Sequence, residues 1–207
     1  VLLWVLVALI IADKLSIPSA SLVAVLSVAG LAFSLSLQNT LSNVFAGFTL
    51  LMTRPFASGD FVELGTTTGT VISSGLFYVT LVTADHKEIH IPNSDAAASR
   101  ITNYSAEPSR RVDLAFGLEY SCPAGAVREA LLCAARADSR VLTEPAPEVV
   151  VSAYQASSVE YSLRVWANNA DYWGVYFALN ESCRTELEKN GLSMAFDRLD
   201  VRIIEDK

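Results

Sequence analysis

The sequence predicts three parts in series: a membrane-embedded α-helical segment, a small all-β barrel or sandwich domain, and a ferredoxin-like α+β domain. Three observations predict this order. No charged residue occurs between Leu15 and Thr53. Short runs of alternating polar and apolar residues, punctuated by Gly65, Gly69 and Gly75, fill the region from Arg54 to about Tyr104. The remainder reads strand, helix, strand, strand, helix, strand, which is the order of a ferredoxin-like unit.

The uncharged stretch is too long for one straight crossing. As a single helix it would run roughly 58 Å, nearly twice the ~30 Å hydrocarbon thickness of a bilayer. It must bend or leave the membrane part-way. Half of the residues from Ser19 to Gln38 are Ala, Ser or Gly. A helix that faces lipid has no need of so many small side chains, whereas one packed closely on other helices does. Val1–Ala12 is also apolar but too short to span, and no basic n-region or cleavage site marks it as a signal peptide. Residues 1–14 therefore read as the end of a transmembrane helix that starts before Val1, with Asp13–Pro18 as a turn. Arg54, the first charge after the apolar stretch, places the remainder of the chain on the cytoplasmic side.

Ser21, Ala24, Val28, Leu31, Leu35 and Gln38 recur at a 3-4-3-4-3 spacing that keeps one stripe on a common axis. Around such an axis Leu31 and Leu35 would form two stacked apolar rings, which block ions by dewetting. The same stripe also fits a packing helix in a bundle, with both leucines in its core. Asn39-Thr-Leu-Ser-Asn43 then interrupts the apolar run, and a kink at Gln38–Asn39 would resolve the length problem. Leu41–Thr53 reads as an amphipathic continuation, suited to the membrane surface or a protein floor beneath it.

Arg54-Pro55 ends the helix, and Gly59-Asp60 makes a turn. Strands are expected at 60–64, 68–73, 77–83 and 88–92. Glu107-Pro108 is a candidate linker. The last part reads strand 111–118, helix 124–137, strands 148–154 and 159–167, helix 171–190 and strand 200–204. Asp171 is the expected N-cap and Gly191 the expected C′ residue of the second helix. Trp166 and Trp173 read as core. Arg54, Asp60 and Arg100 form either an ion-pair network coupling the apolar helix to the β-domain or separate surface charges.

Composition excludes several function classes. Acidic residues outnumber basic ones, 22 to 15, and the net charge is −7, so a nucleic-acid partner is not expected. Cys122, Cys133 and Cys183 are odd in number and lack paired spacing, which reads as reduced thiols. No nucleophile elbow, P-loop or dinucleotide fingerprint is visible, so no enzyme is expected.

Taken together, the ordered motifs resemble a known family. They are the small-residue helix ending in Leu-Gln38, Leu41-Ser42-Asn43, Arg54-Pro55-Phe56 with Gly59-Asp60 and Val62, Gly69-Thr70-Val71, Thr83 with Asp85, Ile91-Pro92-Asn93-Ser94, and Arg164-Val165-Trp166. This set resembles the MscS-type small-conductance mechanosensitive channels from about Ser19 to Val201. The resemblance implies a homoheptamer in the bacterial inner membrane, multi-pass, with its C-terminal domain in the cytoplasm. It implies domains at 1–14 (end of a transmembrane helix), 15–53 (a kinked pore-lining helix), 54–105 (β-domain) and 106–207 (an α+β vestibule domain ending in a strand of a small barrel). Tension in the surrounding lipids would open the pore and release ions and small solutes on hypo-osmotic shock.

The family's gate leucines fall on Leu31 and Leu35, and its pore-helix kink falls at Gln38–Asn39. Asn39 stands where Gly is usual, as do Ser27, Ser34 and His86. Met194-Ala195-Phe196-Asp197-Arg198 replaces the usual Pro-containing entry to the last strand. Asp85, His86, Glu88 and His90 carry metal-ligating groups, and on a strand the last three would share a face. The segment matches the family's turn and strand without a metal, so no metal or other cofactor is expected. The competing reading is a membrane-anchored ligand sensor or scaffold that does not conduct.

Overall fold

The computed structural model describes Trp4, Val7, Ile10, Ile11 and residues 19–196. The four described residues near the start are helical, and the expected last strand at 200–204 lies outside the described residues. Ser19–Thr53 forms one helix, α1, and its helical pattern continues through Gln38 and Asn39. Any bend there is a bend within a helix, not a gap between two. Two compact units divide the chain between Asn103 and Tyr104.

In the first unit, β1 (Phe61–Leu64), β2 (Thr67–Ser74), β3 (Tyr78–Val82), β4 (Glu88–Pro92), a short helix α2 (Asn93–Ala98) and β5 (Ile101–Asn103) follow α1. The strands form one antiparallel sheet in the order β4-β3-β2-β1-β5. Among the described residues no ladder joins β4 to β5, which stand at the two ends of the strand order. Val62, Leu64, Val71, Val79 and Leu81 supply its core with Ala96 of α2, and Leu50 of α1 and Phe56 of the turn after it complete the cluster. A bulge between Val71 and Ser73 sets Ile72 apart from the ladder.

The β3–β4 turn holds His86 at φ 62°, a left-handed conformation that a side chain disfavours. It stands where the resemblance leads one to expect glycine. His86→Gly is therefore expected to stabilise the protein by about 0.5 kcal/mol, the relief of strain less the added freedom of the unfolded chain. A raised urea midpoint would bear this out, and a lowered one would refute it.

In the second unit, β6 (Ser109–Leu118), α3 (Ala124–Ala137), β7 (Glu148–Tyr154), β8 (Val159–Asn168) and α4 (Tyr172–Lys189) follow in order, with a 3₁₀ turn at Asn169–Asp171. The sheet is antiparallel in the order β6-β8-β7. Alternation places Val112, Leu114, Phe116 and Leu118 of β6 on the same buried face as Tyr161, Leu163 and Val165 of β8. Both helices cover that face. Val127, Ala130, Leu131 and Ala134 form the stripe of α3, and Val175, Leu179, Cys183 and Leu187 that of α4.

The end of α4 follows from its sequence. Gly191 lies at φ 64°, its N–H donates to the Glu188 carbonyl at 3.1 Å, and the Leu192 N–H donates to the Leu187 carbonyl at 3.0 Å. This is a Schellman cap, with Leu187 and Leu192 both buried beside it. Asp171 stands at the N-cap position as expected, but its side chain makes no capping bond, since its backbone is already helical at the end of the 3₁₀ turn. Trp173 is also corrected from core to surface. It is 53% exposed, because α4 buries the stripe that starts at Val175, and it packs with Tyr172, Tyr176 and Phe177. The three cysteines are free, and burial pushes the Cys183 thiol up to about 12.

Candidate functional site

From Ala20 to Ser42 almost every residue of α1 is exposed within its own chain. Leu31 is 62% exposed, Leu35 61% and Val28 68%. Thirteen large apolar side chains between Val23 and Met52 are exposed. Fully burying each is worth about 1.5–3 kcal/mol, so even at half value the total is on the order of 10–20 kcal/mol. That rivals the whole net stability of a domain. This helix is therefore built to be covered, by lipid or by other copies.

Its polar side chains do not resist such an environment. Ser27 Oγ donates to the Val23 carbonyl at 2.7 Å, Ser36 Oγ to Ala32 at 2.9 Å and Thr49 Oγ1 to Phe45 at 2.9 Å. Each hydroxyl is satisfied one turn back within the helix, which permits burial in a nonpolar medium. Ser21, Ala24, Val28, Leu31, Leu35, Gln38 and Asn39 all lie on this single helix.

The second half of α1 is fastened to the β-sheet unit by a polar clasp that the sequence reading did not identify. Asn43 Oδ1 accepts the Ser94 N–H at 2.9 Å. Asn93 Nδ2 donates to the Gly75 carbonyl at 3.1 Å and reaches the Asn43 carbonyl at 3.4 Å. The Asn93 N–H donates to the Phe77 carbonyl at 2.9 Å, and Asn93 is fully buried. Gly47 is what lets the elements meet: a Cβ there would lie 2.6 Å from the Leu76 carbonyl oxygen and closer still to Asn93 Nδ2. The signal was present in two places, the polar interruption ending at Asn43 and the Ile-Pro-Asn93-Ser94 motif. Nothing in one sequence pairs them.

Arg54 ends the helix at φ 46°, its N–H donating to the Leu50 carbonyl at 2.9 Å. Asp60 Oδ2 accepts the Ala57 N–H and Asn103 Nδ2, each at 2.8 Å, and Asn103 Nδ2 also donates to the Pro55 carbonyl at 3.1 Å. Asp60 thus ties the post-helix turn to β5. Among the described residues no ion pair within 4.0 Å joins Arg54, Asp60 and Arg100. His86 sits in the turn, not on β4, so it does not share the strand face of Glu88 and His90. His90 meets Thr80 Oγ1 at 3.0 Å and Glu88 at 3.5 Å.

A long apolar helix, bare within its own chain, rooted in a β-sheet unit and continued by an α+β unit, defines a membrane protein whose helix requires partners. Comparison with known proteins makes this specific. Residues 39–106 match the mechanosensitive ion channel β-domain family, and residues 112–194 match the C-terminal family of the mechanosensitive ion channel MscS. A small-conductance mechanosensitive channel of Edwardsiella ictaluri is 41% identical over 177 residues, which are 86% of this chain and 62% of that protein. An MscS family protein of Buchnera aphidicola subsp. Acyrthosiphon pisum, itself uncharacterised, is 34% identical over 194 residues, 94% of this chain and 64% of that protein. A crystal structure of Helicobacter pylori MscS in the closed state superposes with a TM-score of 0.92 at 25% identity, covering 99% of this chain and 81% of that one. The chain belongs to the MscS family of mechanosensitive channels. It spans a little under two thirds of the length of the first two relatives.

Proposed function

We propose that the protein to which this chain belongs is a tension-gated channel of the bacterial inner membrane, releasing ions and small solutes on hypo-osmotic shock. The observation that carries the proposal is the bare face of α1. Thirteen exposed large apolar side chains on one helix demand lipid and neighbouring copies as partners. In this reading seven copies surround a common axis. Leu31 and Leu35 form the two closed rings, and Ser21, Ala24, Val28 and Gln38 line the path. A bend at Gln38–Asn39 turns the rest of α1 away from the axis. Tension favours the state with the larger in-plane area, so opening needs no chemical step.

The remaining assignments rest on the same reading. Residues 15–53 line the pore, 54–105 form the collar, and 106–207 form a cytoplasmic vestibule domain. A ferredoxin-like completion of the second unit is supported at its edge. Leu118 bridges antiparallel to Met194, the Glu119 N–H donates to the Ser193 carbonyl at 3.2 Å, and the Ala195 N–H to the Gly117 carbonyl at 3.0 Å. A fourth strand beginning there would lie beside β6, as that fold requires. Arg54, Asp60 and Arg100 would couple helix and collar through the Asp60–Asn103 tie and through contacts made on assembly.

The test is a patch recording of the full-length protein in liposomes under stepped suction, beside empty liposomes. Stepwise currents that rise with suction are the expected result. Silence up to lytic suction would overturn the proposal and favour a non-conducting sensor or scaffold.

A further inference from the structure

The sheet of the first unit has two unlike ends. At one end the β3–β4 turn carries Asp85 and Lys87, ion-paired at 2.6 Å, and leads into Glu88 of β4. Glu63 of β1 precedes the β1–β2 turn at the same end. At the other end the β2–β3 turn joins Ser74 to Tyr78. No residue from Leu64 to Ala84 is charged. Burial does not account for this gap. Thr70, Ile72, Ser73, Leu76, Phe77 and Tyr78 are all exposed, and in water an exposed position accepts a charge freely. Leu76 is 52% exposed, Phe77 40% and Tyr78 53%.

This uncharged turn is also the part of the sheet that is fixed to α1. Asn93 Nδ2 bonds the Gly75 carbonyl at 3.1 Å and reaches the Asn43 carbonyl at 3.4 Å, and the Leu76 carbonyl oxygen lies against Gly47. Leu41, Phe45, Phe48 and Met52 stay exposed along the same stretch of helix. From Ser19 to Gly47 a straight helix rises roughly 42 Å, against ~30 Å of hydrocarbon and roughly 40–45 Å with the headgroup layers. With Ser19 at the opposite surface, Gly47 falls in the headgroup layer. A bend at Gln38–Asn39 keeps it there, since Gln38 lies roughly 29 Å along, at the edge of the hydrocarbon. Aromatic side chains favour that level, where the Tyr78 ring meets an apolar layer and its hydroxyl stays wet.

We propose that the β2–β3 turn, through Ile72, Leu76, Phe77 and Tyr78, is a lipid-contact site that enters the headgroup layer of the membrane crossed by α1. The proposal rests on the reading of α1 as a membrane helix. A second copy of the chain is the competing occupant. A contact between copies clears charge only where the two touch, whereas here the gap runs through the whole turn and along both of its strands. Asp95 of α2, the nearest charge in sequence to the Asn93–Ser94 clasp, is exposed and limits the depth to the headgroups.

The test is the fluorescence of the full-length protein in phosphatidylcholine liposomes. Phe77→Trp, Tyr78→Trp and Thr68→Trp are each compared with the unsubstituted protein, so that the difference is the added tryptophan. Thr68 is exposed on β2 at the charged end, opposite Glu63. Replacing the lipid by its dibrominated form is expected to quench the added emission of Phe77→Trp and Tyr78→Trp several-fold. Bromine high on the acyl chain should quench more than bromine near its end. Thr68→Trp should be quenched by iodide from the water and not by bromine.

Quenching at 77 and 78 by iodide alone puts the turn in water and overturns the proposal. Quenching by neither agent means that protein, a second copy first, covers the turn, and overturns it equally. Bromine quenching of Thr68→Trp as strong as at 77 and 78 overturns the assignment to this turn. Suction currents from the same liposomes judge the channel reading separately. Current without lipid quenching leaves the channel standing and removes the contact, and lipid quenching without current does the reverse.

Discussion

Leu35→Ser and Leu31→Ser are expected to lower the tension at which the channel opens and to slow the growth of cells that express it. In the proposed assembly two rings of leucine would obstruct the path because a narrow apolar neck excludes water, not because side chains touch across it. Exchanging the isobutyl group for a hydroxymethyl removes roughly 2 kcal/mol of hydrophobic driving force per side chain. A symmetric ring multiplies that change by the number of copies, so even partial wetting shifts the closed–open balance far beyond thermal energy. Leu35→Ser should have the larger effect if its ring is the narrower. Phe33→Ser is the control, since Phe33 is 66% exposed on the same helix but lies off the stripe. Tension thresholds in patches settle the matter. Ordinary thresholds in both leucine variants would end the ring-gate assignment, and an equal drop in Phe33→Ser would mean that helix packing is being read instead.

How much of this was legible in the sequence depended on the range of the determining interaction. The gap in charge fixed α1 to within its first turns, because transfer of charged side chains into a nonpolar medium is costly enough to leave a visible blank. Periodicity placed α3 at Ala124–Ala137 and β7 at Glu148–Tyr154, each with a full apolar face to read. It failed for α2 and β5, since six residues and three residues carry too little of either period. The clasp was invisible for a different reason. Asn43 and Ser94 are about fifty positions apart, and only the folded sheet brings them to 2.9 Å. Trp173 was misplaced because hydrophobicity was weighed without the register of its helix, where Val175 and Leu179 take the buried face. The proposed rings of Leu31 and Leu35 belong to a further class: their geometry would exist only between copies.

Gly47→Ala is expected to undock the second half of α1 from the sheet unit, against the usual sign of such a change. In an exposed helix interior, Ala in place of Gly stabilises by about 1 kcal/mol. Here the new Cβ would meet the Leu76 carbonyl oxygen at 2.6 Å. That oxygen is backbone and cannot swing aside. Its hairpin is closed by the Gly75 N–H donating to Tyr78 at 2.8 Å, and the clasp holds it through Asn93. Relief requires the helix to move outward by a sizeable fraction of an ångström, which stretches the Ser94–Asn43 bond and pulls the Asn43 carbonyl away from the buried Asn93 Nδ2. Overpacking costs typically 1–3 kcal/mol and an unsatisfied buried group about 1–3 kcal/mol, so the loss outweighs the helical gain. Hydrogen exchange at the Ser94 amide of the full-length protein should accelerate by roughly tenfold or more. Gly30→Ala is the matched control: its Cβ would meet nothing within 4 Å in the chain, so exchange at Ser94 should stay as it was. Unchanged exchange in Gly47→Ala would show that the hairpin yields at little cost, and that the clasp does not fix the end of α1.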